Sequence, residues 1–185
     1  MRIKLLAKRY ARALFELADE LKVLEQVEKD MALVNHTMEN ERLLRKVMAN
    51  PVLDAHKKIK ILDRLFEQRV QKLTISFLRL ITRKGRGEYI IPMCHAFDEI
   101  YKDYKNIMPV ILTTAYKPEE KIKKEILDKL AAVTEKHLEV SEKKDEDLIG
   151  GFKLDFEDYQ YDNSIRMQLK RLGQAFGENL YISKL

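Results

Sequence analysis

Gly150 and Gly151 lie inside DLIGGFKLDF, residues 147–156, after an apolar pair and before an alternating run. Adjacent glycines are one ingredient of a phosphate cradle, where backbone N–H groups converge on an anion at a helix N-terminus. That chemistry also needs further glycines at set spacing, a lysine followed by Ser or Thr, and a helix directly after. None of these follows here, and the glycines lead into a strand-like alternation. The pair reads as a backbone device, a bulge or a close approach. The histidines, His36, His56, His95 and His137, include no i,i+4 pair. Only Cys94 and His95 are neighbours, and adjacent residues on a helix point to different sides, which makes a poor metal site. One thiol beside one imidazole is also a thin basis for a nucleophile. The acidic run EKKDEDL (142–148) lacks glycine-punctuated calcium-loop spacing and reads as a solvated turn between strands. TRKGRG (82–87) either offers Arg83, Lys84 and Arg86 to a phosphate or places cations where a helix C-terminus favours them. No catalytic constellation, metal site or cofactor is expected.

The chain has 185 residues, 45% of them apolar and 35% charged, which suits one domain or two small ones with a charged surface. The single cysteine excludes an intramolecular disulfide framework and fits a reducing compartment. No apolar run approaches the ~20 residues of a membrane span. The opening MRIKLLAKRYARALFELADELK lacks a cleavage pattern and reads as a helix rather than a signal peptide. Residues 1–106 carry 22 basic and 15 acidic side chains, against 13 and 15 in residues 107–185. A basic half of this size suits nucleic acid, anionic lipid, an acidic protein or simply a mixed solvated surface.

Periodicity predicts six helices in residues 1–105: about 3–22, 24–38, 41–49, 54–69, 71–83 and 89–105. Asn50-Pro51 ends the third, Asp54 is a plausible N-cap of the fourth, and Gly85 is a left-handed C-cap of the fifth. With short connections they make a bundle. Pro109 marks a change of grammar, with a linker at 105–109. VILTTAY (110–116) is β-branched and strand-like, and Pro118 opens a helix carrying Ile122, Ile126, Leu127, Leu130 and Val133. Leu138 and Val140 alternate with polar residues, FEDYQY (156–161) reads as a hairpin, and a last helix begins near Ser164. The fold class is mainly α, a six-helix bundle over 1–105 followed by a small α+β domain over 110–185.

The first helix is too apolar for one-sided burial. At 100° per residue its apolar positions cover about 200°, where a core-facing stripe needs about 100°. One edge holds Leu6, Tyr10, Ala13 and Leu17, and the other holds Ala7, Ala11, Leu14, Phe15 and Ala18. Periodicity leaves two readings open. Either the helix offers a small-residue groove to another helix, or it sits centrally and is buried on both sides.

Several stretches together resemble the delta subunit of bacterial ATP synthase, counterpart of the mitochondrial oligomycin-sensitivity-conferring protein. They are AKRYARALFELA (7–18), NPVL (50–53), FLRLITRKGR (77–86), VILTTAY (110–116), DLIGGFKL (147–154) and YDNSIRMQLKRL (161–172), in the family's order across nearly the whole chain. The acidic approach EKKDED (142–147) departs from the pattern. The resemblance implies a non-catalytic stator subunit without cofactor, on the cytoplasmic face of the bacterial inner membrane and reaching it only through the complex. It implies that the first and fifth helices form a groove for the N-terminal helix of an alpha subunit. Matched onto this chain, that groove comprises Tyr10, Ala13, Leu17, Ser76, Leu80 and Lys84. The C-terminal domain would meet the b subunits, and Gly150 and Gly151 would be structural. The alternative is an RNA-binding helical module of the antitermination type. The basic N-terminal half favours it weakly. The spread of cations over several helices and the lack of a stacking-aromatic motif count against it.

Overall fold

Apolar residues at helical spacing fold the first half into α1 (Arg2–Glu20), α2 (Leu24–Asn40), α3 (Arg42–Ala49), α4 (Ala55–Phe66), α5 (Lys72–Arg83) and α6 (Ile90–Tyr104), with a 3-10 turn at Gly87–Tyr89. The computed structural model describes residues 2–116, 134, 136–145, 148–156 and 159–177. Two units divide the chain, Met1–Tyr104 and Lys105–Leu185. The protein is mainly helical with one small four-stranded sheet.

In the first unit α1 buries Ala7, Ala11, Leu14 and Ala18, so small residues let α6 pack close. Phe15 extends that contact, with ring centroids 6.1 Å from Phe97 and 5.2 Å from Tyr104. α2 contributes Leu24, Val27, Met31, Val34 and Met38 to the same core, and α5 contributes Ile75, Leu78 and Ile81. α1 ends at Glu20, slightly before the predicted boundary, because Lys22 adopts a left-handed φ of 57°. Asn50 is extended before Pro51, and Asp54 caps α4 by accepting from the His56 N–H at 2.8 Å. The buried Lys58 reaches back from α4 to donate to the Met48 carbonyl at 2.9 Å, a cation on the last carbonyls of α3.

The second unit holds β1 (Ile107–Thr114), β2 (His137–Lys144), β3 (Phe152–Phe156), β4 (Tyr159–Asp162) and α7 (Ile165–Gly177). Sheet order is β2-β1-β3-β4, with β1 parallel to β2 and antiparallel to β3. Met108, Val110, Leu112 and Leu154 form its core. β3 and β4 pair antiparallel with Phe156 opposite Tyr159. Two expectations need correction. The strand begins at Ile107 and runs through Pro109, instead of starting after a linker. Among the described residues pairing with β3 starts at Val110, one residue past Pro109, which suits a residue with no N–H to donate. Glu142, Lys143 and Lys144 belong to β2 and not to a turn. β2 is an edge strand, and charged residues are what such an edge carries. The helix expected from Pro118 to Val133 falls on 117–133, outside the described residues.

Candidate interaction surface

The two edges of α1 have different fates. Ala7, Ala11, Leu14 and Ala18 are buried, whereas Ala13 and Leu17 are exposed and Leu6 and Tyr10 are half-buried against the rim of the core. Leu17 is 42% exposed, and Ile3 and Leu21 continue the outward line at 50% and 55%. Burial of α1 on both sides is therefore not what the fold adopts. On α5 the same division appears. Thr74, Ile75, Phe77, Leu78, Ile81 and Thr82 are buried, while Ser76, Leu80 and Lys84 are exposed on the other side. Leu80 keeps 44% of its surface in solvent, and the Ser76 hydroxyl donates to the Lys72 carbonyl at 2.7 Å.

α5 is held at both ends. At its start the buried Asp30 of α2 accepts from the Gln71 N–H at 2.7 Å and the Thr74 hydroxyl at 2.8 Å. A carboxylate from another helix thus supplies the N-terminal cap that Gln71 does not provide itself. Along its side Arg79 pairs with Asp63 of α4 and with Glu67, the residue that caps the end of α4, each at 2.8 Å, and these hydrogen bonds raise the guanidinium pKa above its ordinary value. At its end Gly85 has φ +69°, its N–H donates to Thr82 O, and the Arg86 N–H donates to Ile81 O, both at 3.0 Å. This pair of bonds is a Schellman turn, which requires the left-handed residue glycine tolerates. The turn carries Arg86 onto α1. Its Nη1 donates to the Tyr10 hydroxyl, and its guanidinium lies 5.3 Å from the ring centroid. Arg86, two residues past the exposed Lys84, thus reaches Tyr10 on the outward edge of α1. Of the three cations read as possible phosphate ligands, Arg86 is committed to Tyr10.

The other sequence candidates resolve as follows. The Gly150 carbonyl accepts from the Ile165 N–H at 3.0 Å, so the glycine pair abuts the start of α7. Gly151 has φ +80°, and a Cβ there would lie 2.4 Å from Asn163 O and 2.9 Å from Ser164 Cα. Ser164 caps α7, its hydroxyl accepting from the Met167 N–H at 3.2 Å, and Asp162 accepts from the Ser164 N–H at 2.9 Å. Hydrogen bonding from Ser164 holds the Asp162 carboxyl below its usual pKa. Cys94 is buried, and loss of water pushes its thiol up to about 12, with the Glu39 charge adding to the shift, so it is no thiolate. His95 meets Glu39 across α2 and α6 at 3.2 Å. Among the described residues no three His, Cys, Asp or Glu side chains are grouped to hold a metal ion. Among them, too, no helix is long and apolar enough to cross a membrane. Asp30 and the Arg86–Tyr10 pair escaped sequence reasoning. Their partners lie 41 to 76 residues away, and the only local signal was the glycine after α5.

Comparison with known proteins agrees along most of the chain. The family model "ATP synthase delta (OSCP) subunit" matches residues 6–176. The ATP synthase subunit delta of Chloroherpeton thalassium is 32% identical over 92% of this chain and 93% of its own. That of Cytophaga hutchinsonii is 33% identical over 94% and 95%. In fold, the chain resembles a chain in the cryo-EM structure of the Toxoplasma gondii mitochondrial ATP synthase hexamer, at a TM-score of 0.72 and 23% identity, covering 92% of this chain and 97% of that one. These matches do not support the RNA-binding alternative. The chain belongs to the ATP synthase delta (OSCP) subunit family, a non-catalytic stator component of the ATP synthase.

Proposed function

We propose that this subunit ties the catalytic head of its ATP synthase to the peripheral stalk, so that the head does not turn with the rotor. Residues 1–105 act as a six-helix bundle that receives the N-terminal helix of an alpha subunit. The receiving surface comprises Tyr10, Ala13 and Leu17 of α1 with Ser76, Leu80 and Lys84 of α5. Residues 110–185 face the b subunits, and the protein works at the cytoplasmic face of a bacterial inner membrane, reached through the complex. One observation carries this reading: α1 fills its core contact with one edge and leaves a second apolar edge, Leu17 and its neighbours, in solvent. Apolar anchors with a charged rim suit a joint that transmits load through non-covalent contacts.

A pull-down with the full-length protein tests it. Purified catalytic head and a b-subunit fragment are each captured, and Leu80→Asp loses the head while keeping the b fragment. Equal retention of the head by Leu80→Asp removes α5 from the surface. RNA produces no mobility shift at physiological salt, where non-specific cationic binding has been suppressed by counterion competition.

A further inference from the structure

Arg86 and Tyr10 are 76 residues apart, yet they meet where the turn after α5 reaches the outward edge of α1. Arg86 donates to the Tyr10 hydroxyl and at the same time covers its ring, with the guanidinium 5.3 Å from the centroid. Both side chains are half-buried. The fully buried positions of α1 are Ala7, Ala11, Leu14 and Ala18, and Tyr10 packs only at the core's rim. The backbone around Arg86 is fixed on both sides. Gly85 supplies the left-handed residue of the turn, and Arg86 N–H is bonded to Ile81 O at 3.0 Å. Gly87 is buried against Met48, where a Cβ would come within 3.0 Å of Met48 Cε and 3.3 Å of its carbonyl oxygen. Two glycines with different steric reasons thus aim one cation at one tyrosine.

We propose that Arg86 is a positioning residue of the docking surface, holding the Tyr10 ring in the orientation a partner helix meets. The proposal rests on the groove reading above. A tyrosine on an open helix face samples several rotamers, and a partner must freeze it on binding. The guanidinium removes that freedom beforehand. It donates a hydrogen bond and stacks on the ring in one geometry, which an ammonium does not reproduce, so Lys is not a conservative replacement. Arg86 therefore acts on the partner through Tyr10 and not by touching it.

The experiment titrates the full-length protein with a synthetic peptide of the alpha subunit's N-terminal segment and records a thermal melt of each variant. Arg86→Met is expected to weaken binding roughly 3- to 10-fold, the cost of immobilising one side chain. Its melting temperature should stay within about 2 °C of the parent. Arg86→Lys should recover little of the loss. In a Tyr10→Leu background, Arg86→Met should cost nothing further. Unchanged affinity of Arg86→Met overturns the proposal. So does an equal loss with and without Tyr10, which would mean that Arg86 contacts the partner itself. A melt that falls in both Arg86→Met and Arg86→Lys assigns Arg86 to stability and also overturns it. If the parent does not bind the peptide, or Ala13→Asp binds it equally well, the groove reading fails and this proposal with it. Loss with Ala13→Asp but none with Arg86→Met sinks the positioning role alone.

Discussion

At Gly151 the backbone and its surroundings forbid a side chain for separate reasons. The φ of +80° disfavours any L residue, and a Cβ would meet the Asn163 carbonyl at 2.4 Å, a backbone atom with nowhere to go. At Gly150 the obstacle is the tip of the Ile165 side chain at 2.6 Å, which can rotate away. Gly151→Ala should therefore destabilise the second unit by about 1 kcal/mol or more, and Gly150→Ala by clearly less. Chemical denaturation of the two variants checks the order, and equal losses would contradict it. The sequence showed a glycine pair leading into a strand, enough to read a backbone device. It did not show the other half of the junction, because Asn163, Ser164 and Ile165 come against the glycines only once β3, β4 and the start of α7 are assembled. The same holds for Arg86: the glycine after α5 marks a helix end, but nothing local names Tyr10 as the target.

Helices were legible from their 3.6-residue stripes because each buries one face, and their ends followed from Asn50-Pro51, Asp54 and Gly85. Strand β2 was only half legible. As an edge strand it carries Glu142, Lys143 and Lys144 without apolar alternation, so its end resembled a turn. What anchors α5 was not legible at all, since Asp30 looks like one more charge on α2. Its buried carboxylate takes two donors from the start of α5. Asp30→Ala leaves both without their partner and should cost about 1–3 kcal/mol. Asp30→Asn keeps an acceptor oxygen for the same two donors and should cost less. A denaturant titration of the full chain monitored by circular dichroism decides this. No loss in Asp30→Ala would mean that α5 is placed by its apolar face alone.

Among the described residues each unit has its own cluster of buried apolar side chains. One spans Ala7 to Phe97, with Ile100 and Tyr101 packed against it, and the other is built on Met108, Val110, Leu112 and Leu154. A chain of residues 1–105 should therefore fold alone as a helical protein with a cooperative melt. A disordered fragment beside a folded full chain would contradict this division. If the outward edge of α1 is a docking surface, Ala13 is the position where a charge should be felt most. Ala13 is exposed, so Asp at that position should fold normally, with the melt within a few degrees of the parent. Docked under a partner helix, the same carboxylate would be buried without a counter-charge. The measurement is a titration of full-length Ala13→Asp with the alpha subunit's N-terminal peptide, alongside a melt of the free protein. An intact melt is expected, with an affinity lower by about 100-fold, two steps of ~1.4 kcal/mol. An intact melt with unchanged affinity would contradict it, because this edge of α1 would then take no part in binding the head.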